Sequence, residues 1–499
     1  MAIIKINEVN KTKKLTNVNE TMPIIALIGP ATYGPVGVPT EIYSEDEFNN
    51  VFGETYSEFY PYAAIAAKRY LSQQGTVLFT RIAYGAVAAS YTMGDLLTVS
   101  ANYEGTFGNT FTITIKSALV NGVTTYKLST TVNNEDDIIV DLKNFTLAEL
   151  KEKGSIKMKY VTVTPGSALT VDSILTMVEK QKLEGGLNGD LLFNSDETKQ
   201  EDLNNLITSL QEILQQLADP QIYEFAIISM PGISGIKNMS ANGVGITDGN
   251  TVVEQFITLT ETRKDCVALI DPFVESSYSE ILTDLLMEET SSCYMAIYYP
   301  WYNAAVSDLN RTILMPPSVF YLDGCATSFK INKPWNAVAG PLTGTCTDCV
   351  NTIIKVGSKM SMALNNMFIN PIVYNRNFGY YIDGNNVLNS AANTRTYSQL
   401  GIRQGINYAK RELTKLCHIM SYKQNSSLVR SEVLGRVSKL LEGLKAGEAI
   451  YGYRAYINES AMDMADGIIR LTVKIYPTPA LEEFVFDFEI VNSESALNE

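Results

Sequence analysis

The chain is poor in the side chains that carry out chemistry. Among 499 residues there is a single histidine, His418, and there are only two tryptophans. His418 lies in the helix-like stretch KLCHIMSY, next to Cys417. Adjacent helical positions do not share a face, so no His–Cys dyad follows and the histidine reads as structural. No HExxH, GxSxG or DxDxDG pattern occurs. The glycine-rich GPATYGPVG at 29–37 lacks the GK[ST] ending of a phosphate cradle. Acidic residues are plentiful at 54, yet the sequence singles out no acid/base pair. The expectation is a protein that is not an enzyme, with no cofactor, no metal and no catalytic residue.

Other absences narrow the class. No run approaches the ~20 apolar residues of a spanning helix, and residues 24–28 form only a strand-sized run, so membrane insertion is not expected. The start, MAIIKINEVNKTKK, has no long apolar region or small-residue cleavage site, and synthesis and assembly in a cytoplasm are expected. A net charge of −15 disfavours general affinity for nucleic acid, which requires clustered Lys and Arg. Of six cysteines, only Cys346 and Cys349 form a CxxC, with no second pair at zinc-ribbon spacing. They read either as a redox or metal half-site or as small, partly buried thiols in a reducing compartment.

What is present is a folded protein. Hydrophobic residues make up 45% and charged residues 19%, with no long low-complexity tract. The length implies roughly three domains. Tyrosine (28) outnumbers phenylalanine (18), as suits semi-polar interfaces in which the ring buries and the hydroxyl stays bonded.

Along the chain, an apolar strand at 22–29, an Ala-rich helix at 60–71 and a strand at 76–82 make a strand–helix–strand unit. From about 87 to 196, alternating Thr/Ile runs and Gly/Asn turns indicate a β-rich module. Helix and strand alternate again afterwards: helix 202–217, strand 225–230, helix 252–262, strand 266–270, helix 280–289 and strand 294–299. The fold class is therefore α/β (mixed α+β), an α/β core interrupted by an inserted β-rich domain. Segment 316–341, PPSVFYLDGCATSFKINKPWNAVAGP, predicts a rigid loop leading into buried structure, with Trp335 burying its ring. Helices are predicted at 351–363, 403–419 and 431–446, the last closed by Gly447, and a strand at 379–382.

The termini read as strands. Ile3, Ile4 and Ile6 sit in a short alternating run on a polar lead. Ile469, Leu471, Val473 and Ile475 alternate with polar residues, and Phe484, Phe486, Phe488 and Ile490 form one face of a last strand. An exposed apolar edge is an aggregation hazard, so 484–490 either pairs within its own domain or completes a neighbour's sheet.

Ordered motifs across 21–490 resemble the contractile phage-tail sheath family. TMPIIALIGPATYGPVGVPTEIYSEDEFNNVFG resembles its strand, Gly-Pro turn and FG ending; TVLFTRIAYG its "yvvRv" strand; YEGTFGNTFTITI its "GN" entry to the inserted domain; and LEGGLNGD its exit. CVALIDPF, PPS…DG…A with Trp335, NYAKRELTK, LLEGLKAGEAIYGYR and IYPTPALEEFVFDFEI resemble later family segments. Gln73-Gln74-Gly75 replaces a Gly pair, Phe107 replaces a Trp, and GYYIDGNN lacks the family's Trp.

The resemblance implies a subunit of a virion tail sheath. Such subunits stack as hexameric rings around a tail tube, between baseplate and tail terminator proteins, and contract to drive the tube through a host envelope. It divides the chain into an N-terminal linking arm (1–20), an α/β core (21–86 plus 197–345), an inserted outer domain (87–196), a C-terminal sheath domain (346–480) and a C-terminal arm (481–499). It implies that arms from other subunits meet near Ile469–Ile475. It also implies a C-terminal helix against the tube, with Arg403, Lys410, Arg411 and Lys415 as the candidate tube-facing residues; a solvated helix face is the equal alternative. A sheath of a related bacteriocin or secretion apparatus is the alternative, and an α/β enzyme the more distant one.

Overall fold

The computed structural model describes residues 22–54, 56–57, 60–120, 122–132, 139–189, 198–233, 252–272, 274, 292–388, 398–458, 463 and 467–482. The chain divides into two compact units, Met1–Ile419 and Met420–Glu499.

The first unit is built on an eight-stranded sheet. Six strands are parallel neighbours, in the order Asn370–Asn375, Met295–Tyr299, Val267–Ile270, Ile227–Ser229, Ile25–Gly29 and Val77–Arg81. Antiparallel strands Gly379–Ile382 and Thr40–Ile42 close the two ends. Central parallel strands are buried on both faces, which is why they read as unbroken apolar runs. Successive residues divide between the faces. Ile25 and Leu27 join a core with helices Tyr62–Ser72 and Pro317–Ser328, whereas Ala26 and Ile28 join another with Thr198–Leu217 and Val252–Arg263. Close helix–sheet packing requires Gly29, where a Cβ would stand 2.4 Å from the Ala63 Cβ.

After Arg81 the chain enters the β-rich module and returns through 184–189. The module holds two four-stranded antiparallel sheets, one of Ser90–Met93, Leu97–Ala101, Val161–Pro165 and Ile156–Lys157, the other of Val178–Lys182, Thr112–Val120, Val123–Thr131 and Ile139–Phe145. They enclose their own core, which includes Val99, Phe111, Ile113, Leu128 and Val163. One short helix, Leu147–Lys153, interrupts the strands, with the Thr146 side chain accepting from the Glu149 N–H at its start.

Several sequence expectations are corrected. The first half of segment 316–341 is a buried helix, Pro317–Ser328, rather than a loop. Pro317 sits in the first turn, where its missing N–H leaves no gap, and extended Pro316 precedes it. Gly324 is retained inside the helix because a Cβ there would stand 2.8 Å from Val338 Cγ1. Trp335 is half-buried; Trp301 takes the interior position, its Nε1–H donating to the Pro272 carbonyl at 2.7 Å. The helix expected at 351–363 is a strand, Cys349–Thr352, followed by a helix at Ser358–Asn366. Antiparallel pairing with Tyr302–Val306 captures the first part despite its helix-like spacing. The last described strand begins at Leu471, so Ile469 lies ahead of it. Helix 280–289 and the strand residues Ile3, Ile4, Ile6, Phe484, Phe486, Phe488 and Ile490 lie outside the described residues.

Candidate assembly surfaces

Among its described residues the second unit has a helix, Ser427–Ala446, and a two-stranded antiparallel sheet, Ile450–Ile457 with Leu471–Pro477. Ser426 caps the helix through its hydroxyl, which accepts from the Val429 N–H. Val433, Val437, Leu441 and Leu444 form a narrow buried stripe at helical spacing. Tyr453 donates its hydroxyl hydrogen to the Ser438 carbonyl at 3.2 Å, which sets the helix-facing side of the sheet. The register places Ile475 opposite Tyr453, Val473 opposite Ala455 and Leu471 opposite Ile457, so an apolar layer faces the helix. The other side carries Arg454 opposite Lys474 and Tyr456 opposite Thr472, with Tyr451 and Tyr476 rings 5.3 Å apart. Among the described residues neither outer strand edge is paired. A lone two-stranded sheet is marginal in water, and open edges offer unpaired N–H and C=O groups.

The basic helix is Leu400–Met420. Its first cations turn onto their own unit. The Arg403 guanidinium lies 4.9 Å from the centre of the Tyr294 ring, and Lys410 donates to the Lys264 carbonyl at 2.8 Å and to the Tyr294 hydroxyl at 3.0 Å. Arg411 donates to the Asp265 carbonyl. Burial lowers the pKa of both Lys410 and Arg411, with Asp265 opposing it. Lys415 is half-exposed and pairs with Glu224 at 2.7 Å and Glu412 at 2.8 Å. Burial pulls its pKa down, and those two carboxylates more than offset it.

Two further polar nodes were given no role from the sequence, although Arg81 lies in the TVLFTRIAYG motif and Asp271 in CVALIDPF. Arg81 is fully buried and, among the described residues, forms no ion pair; it donates to the carbonyls of Gly34 at 2.8 Å, Glu104 at 2.6 Å and Asn188 at 3.1 Å. Burial lowers it to about 10. These carbonyls belong to the loop after the first core strand (Gly34), to the module segment after Leu97–Ala101 (Glu104) and to the return crossing (Asn188). Tyr33, from that same loop, inserts into the module core, its ring 5.4–5.6 Å from those of Tyr103, Phe107 and Phe111. Its hydroxyl donates to the Tyr160 carbonyl at 3.1 Å. The backbones are in contact here, since a Cβ on Gly105 would lie 2.0 Å from the Thr32 carbonyl oxygen.

The second node is Asp271, whose buried carboxylate caps the Pro317–Ser328 helix. It accepts from Ser318 N–H at 2.8 Å, Ser318 Oγ at 2.7 Å and Gly232 N–H at 2.9 Å. Desolvation raises its pKa to about 6. In the CxxC, Cys346 donates to Asp323 at 3.2 Å, and burial raises Cys346 well above the usual thiol range and Cys349 to about 12. Neither is a thiolate at neutral pH, which favours the reading of small buried thiols.

This α/β core, interrupted by a double-sheet module and followed by a helix and an open-edged hairpin, is the fold of contractile-tail sheath proteins. The sheath tail protein of Desulfitobacterium hafniense aligns over 96% of this chain and 97% of its own, with a TM-score of 0.59 at 12% identity. That of Listeria innocua aligns over 92% and 95%, with a TM-score of 0.60 at 12% identity. The PVC sheath complex of an extracellular contractile injection system, in its contracted state, aligns over 99% and 98% with a TM-score of 0.56 at 12% identity.

Sequence similarity leads to the same group. The tail sheath protein of Enterobacteria phage T4 is 22% identical over 237 residues, which are 43% of this chain and 35% of that protein. The matched part thus spans about a third of the length of that curated relative. No protein-family model matches the chain. The chain thus shares its fold with the sheath tail proteins and resembles the T4 tail sheath protein in sequence over part of its length.

Proposed function

We propose that the protein is the structural subunit of a contractile tail sheath, stacking with itself as hexameric rings around a tail tube and contracting to drive that tube through a cell envelope. The observation that carries this reading is a near-complete match: sheath structures align over 92–99% of the chain. The open-edged hairpin supports it, because a strand added from another copy satisfies edge groups that the subunit leaves unpaired. The segments carrying Ile3, Ile4 and Ile6, and Phe484, Phe486, Phe488 and Ile490, are the proposed donors, and the strand through Leu471, Val473 and Ile475, with Ile469 just ahead of it, is the receiver.

Contraction needs no nucleotide. A metastable lattice of bistable interfaces stores the work, and even a few kcal/mol per subunit, summed over many rings, makes the transition one-way. Baseplate and terminator proteins would bound the cylinder, which would be part of a virion tail assembled in the host cytoplasm. A sheath of a non-phage injection system is the second reading, favoured by the near-complete alignment with the injection-system sheath. The Leu400–Met420 helix is the proposed tube-facing element. All four cations make contacts within their own unit; Lys415, paired with Glu224 and Glu412, is the exposed one and carries the test, and Lys415→Glu is expected to weaken co-assembly with tube protein. The arms are tested by deleting 1–20 and 481–499: loss of ordered cylinders is expected, and unimpaired cylinders would overturn the arm assignment.

A further inference from the structure

Two charge-poor apolar surfaces stand at opposite ends of the β-rich module. The first is the tip of the hairpin Thr112–Val120 and Val123–Thr131, where Val120 pairs with Val123. Leu119 is 75% exposed there, and Val120 and Val123 are exposed beside it. Antiparallel pairing of Val178 with Ile115, and a bond from the Leu175 N–H to the Tyr126 hydroxyl at 3.2 Å, bring 174–177 alongside this end. Buried Leu169 and Leu175 anchor that loop and leave Met177 and Ile174 outside, the latter 85% exposed. None of residues 117–126 is charged, and 167–178 hold only Asp172. At the border Lys116 and Glu179 neutralise each other at 3.1 Å.

The second surface surrounds the buried Arg81 at the base of the module. The Gly37 N–H donates to the Arg81 carbonyl at 2.8 Å, and Val87 and Leu187 exchange backbone bonds at 3.0 and 2.9 Å. The Arg81 guanidinium ties in the carbonyls of Gly34 and Asn188. On these laced segments Val36, Val38, Tyr84, Val87 and Leu187 are exposed. None of residues 30–40, 82–94 and 185–189 is charged, in a chain where 19% of residues are. Copies that each carry a net charge of −15 repel, so they can approach most closely where charge is missing. Apolar side chains held out on ordered backbone mark a contact surface.

Resting on the proposed function, we propose that the hairpin tip of one copy packs on the Arg81 surface of an adjacent copy. A subunit cannot close this contact on itself. Strand Thr112–Val120 starts beside the second surface, where Asn109 Nδ2 donates to the Gly186 carbonyl at 3.0 Å, and its nine residues hold the two ends about 27 Å apart. Copies related by rotation in a ring of more than two meet head to tail, so each contact needs two different surfaces, and the module carries one at each end. Five apolar side chains expose on the order of a few hundred Å², below the ~800 Å² that each partner buries in a stable complex. The contact is therefore too small to recruit a free protein, and it takes effect where other contacts already hold copies together.

The full-length protein is used throughout, with cylinder formation followed by light scattering and electron microscopy. Ile174→Asp at the tip and Leu187→Asp at the Arg81 surface should each raise the concentration needed for cylinders by about tenfold. Both side chains are exposed, so thermal unfolding should stay at the wild-type temperature. Leu119→Cys and Leu187→Cys are then made separately on a Cys417→Ser background, which removes the exposed native thiol. Cylinders assembled from a mixture of the two should yield disulfide-linked dimers under mild oxidation by copper phenanthroline in air, and neither variant alone should. Links from either variant alone would show like surfaces meeting. No link in the mixture, or Asp variants that assemble like wild type, would leave the tip to another partner. Each of these results overturns the proposal while wild-type cylinders keep the sheath reading; a wild-type protein that never forms cylinders would remove both.

Discussion

Truncating Tyr33 to alanine should loosen the attachment of the β-rich module to the core. The residue is 2% exposed, donates its hydroxyl hydrogen to the Tyr160 carbonyl and packs edge-on against Tyr103, Phe107 and Phe111. An aromatic side chain of this kind buries roughly 150–250 Å², worth about 4–6 kcal/mol at 25 cal/mol per Å². Measured truncations of buried aromatics cluster at about 3–5 kcal/mol, which sets the expected loss for Tyr33→Ala. Tyr33→Phe keeps the ring contacts and orphans one buried carbonyl, so about 1–2 kcal/mol is expected. Urea unfolding gives these totals, and hydrogen exchange says where they act. Protection should fall first in 30–37 and at the chain crossings, 83–90 and 184–189, while the central strands Ile25–Gly29 and Ile227–Ser229 stay protected. A Tyr33→Ala cost below about 1 kcal/mol, or exchange that rises evenly across the unit, would refute this account of how the module is fastened. In a sheath, such fastening would make module and core move as one body during contraction.

Asp271 links core stability to pH. Its folded pKa, about 6 against an ordinary 3.8, is raised, so its contribution is full below the ordinary value and lost as pH rises through about 6. The stability of wild type relative to Asp271→Asn should fall by up to about 3 kcal/mol between pH 4 and pH 7, and an unchanging difference in thermal unfolding would contradict the desolvation argument. Arg69 pairs with Asp323 and, at 2.7 Å, with Asp348, joining Tyr62–Ser72 to Pro317–Ser328. Arg69→Met should cost about 3 kcal/mol by leaving Asp323 unpaired, and adding Asp323→Leu should recover much of it in urea unfolding.

The parallel strands were readable in the sequence because burial on both faces leaves apolar runs such as 266–270 and 294–299. Long helices were readable from their apolar spacing, although Leu400–Met420 and Ser427–Ala446 begin three to four residues before their predicted starts at 403 and 431. The Pro317–Ser328 helix was hidden by two prolines and an internal glycine, residues that usually signal a loop. Prolines at the entry leave the intrahelical bonds intact, and Gly324 answers to Val338, a contact made only in three dimensions. Strand Cys349–Thr352 depends on a distant partner, Tyr302–Val306, in the same way.

For the assembly surfaces, alternation marked the strand through Leu471–Ile475. Its partner Ile450–Ile457 went unnoticed because Gly452 and the bulge beside it break the period. The opposition of Arg454 and Lys474 exists only in the register. Basic residues at 403, 410 and 411 suggested a free charged face, yet a list of charges does not reveal that backbone carbonyls of 264 and 265 and the Tyr294 ring lie beneath them.

Cryo-electron microscopy of the purified full-length protein, concentrated at neutral pH, tests the sheath proposal most directly. Hollow cylinders of stacked six-fold rings, with density for a third strand beside Leu471–Pro477 arriving from an adjacent subunit, are the predicted result. A protein that remains monomeric at every concentration, or cylinders in which that edge is left bare, would contradict it.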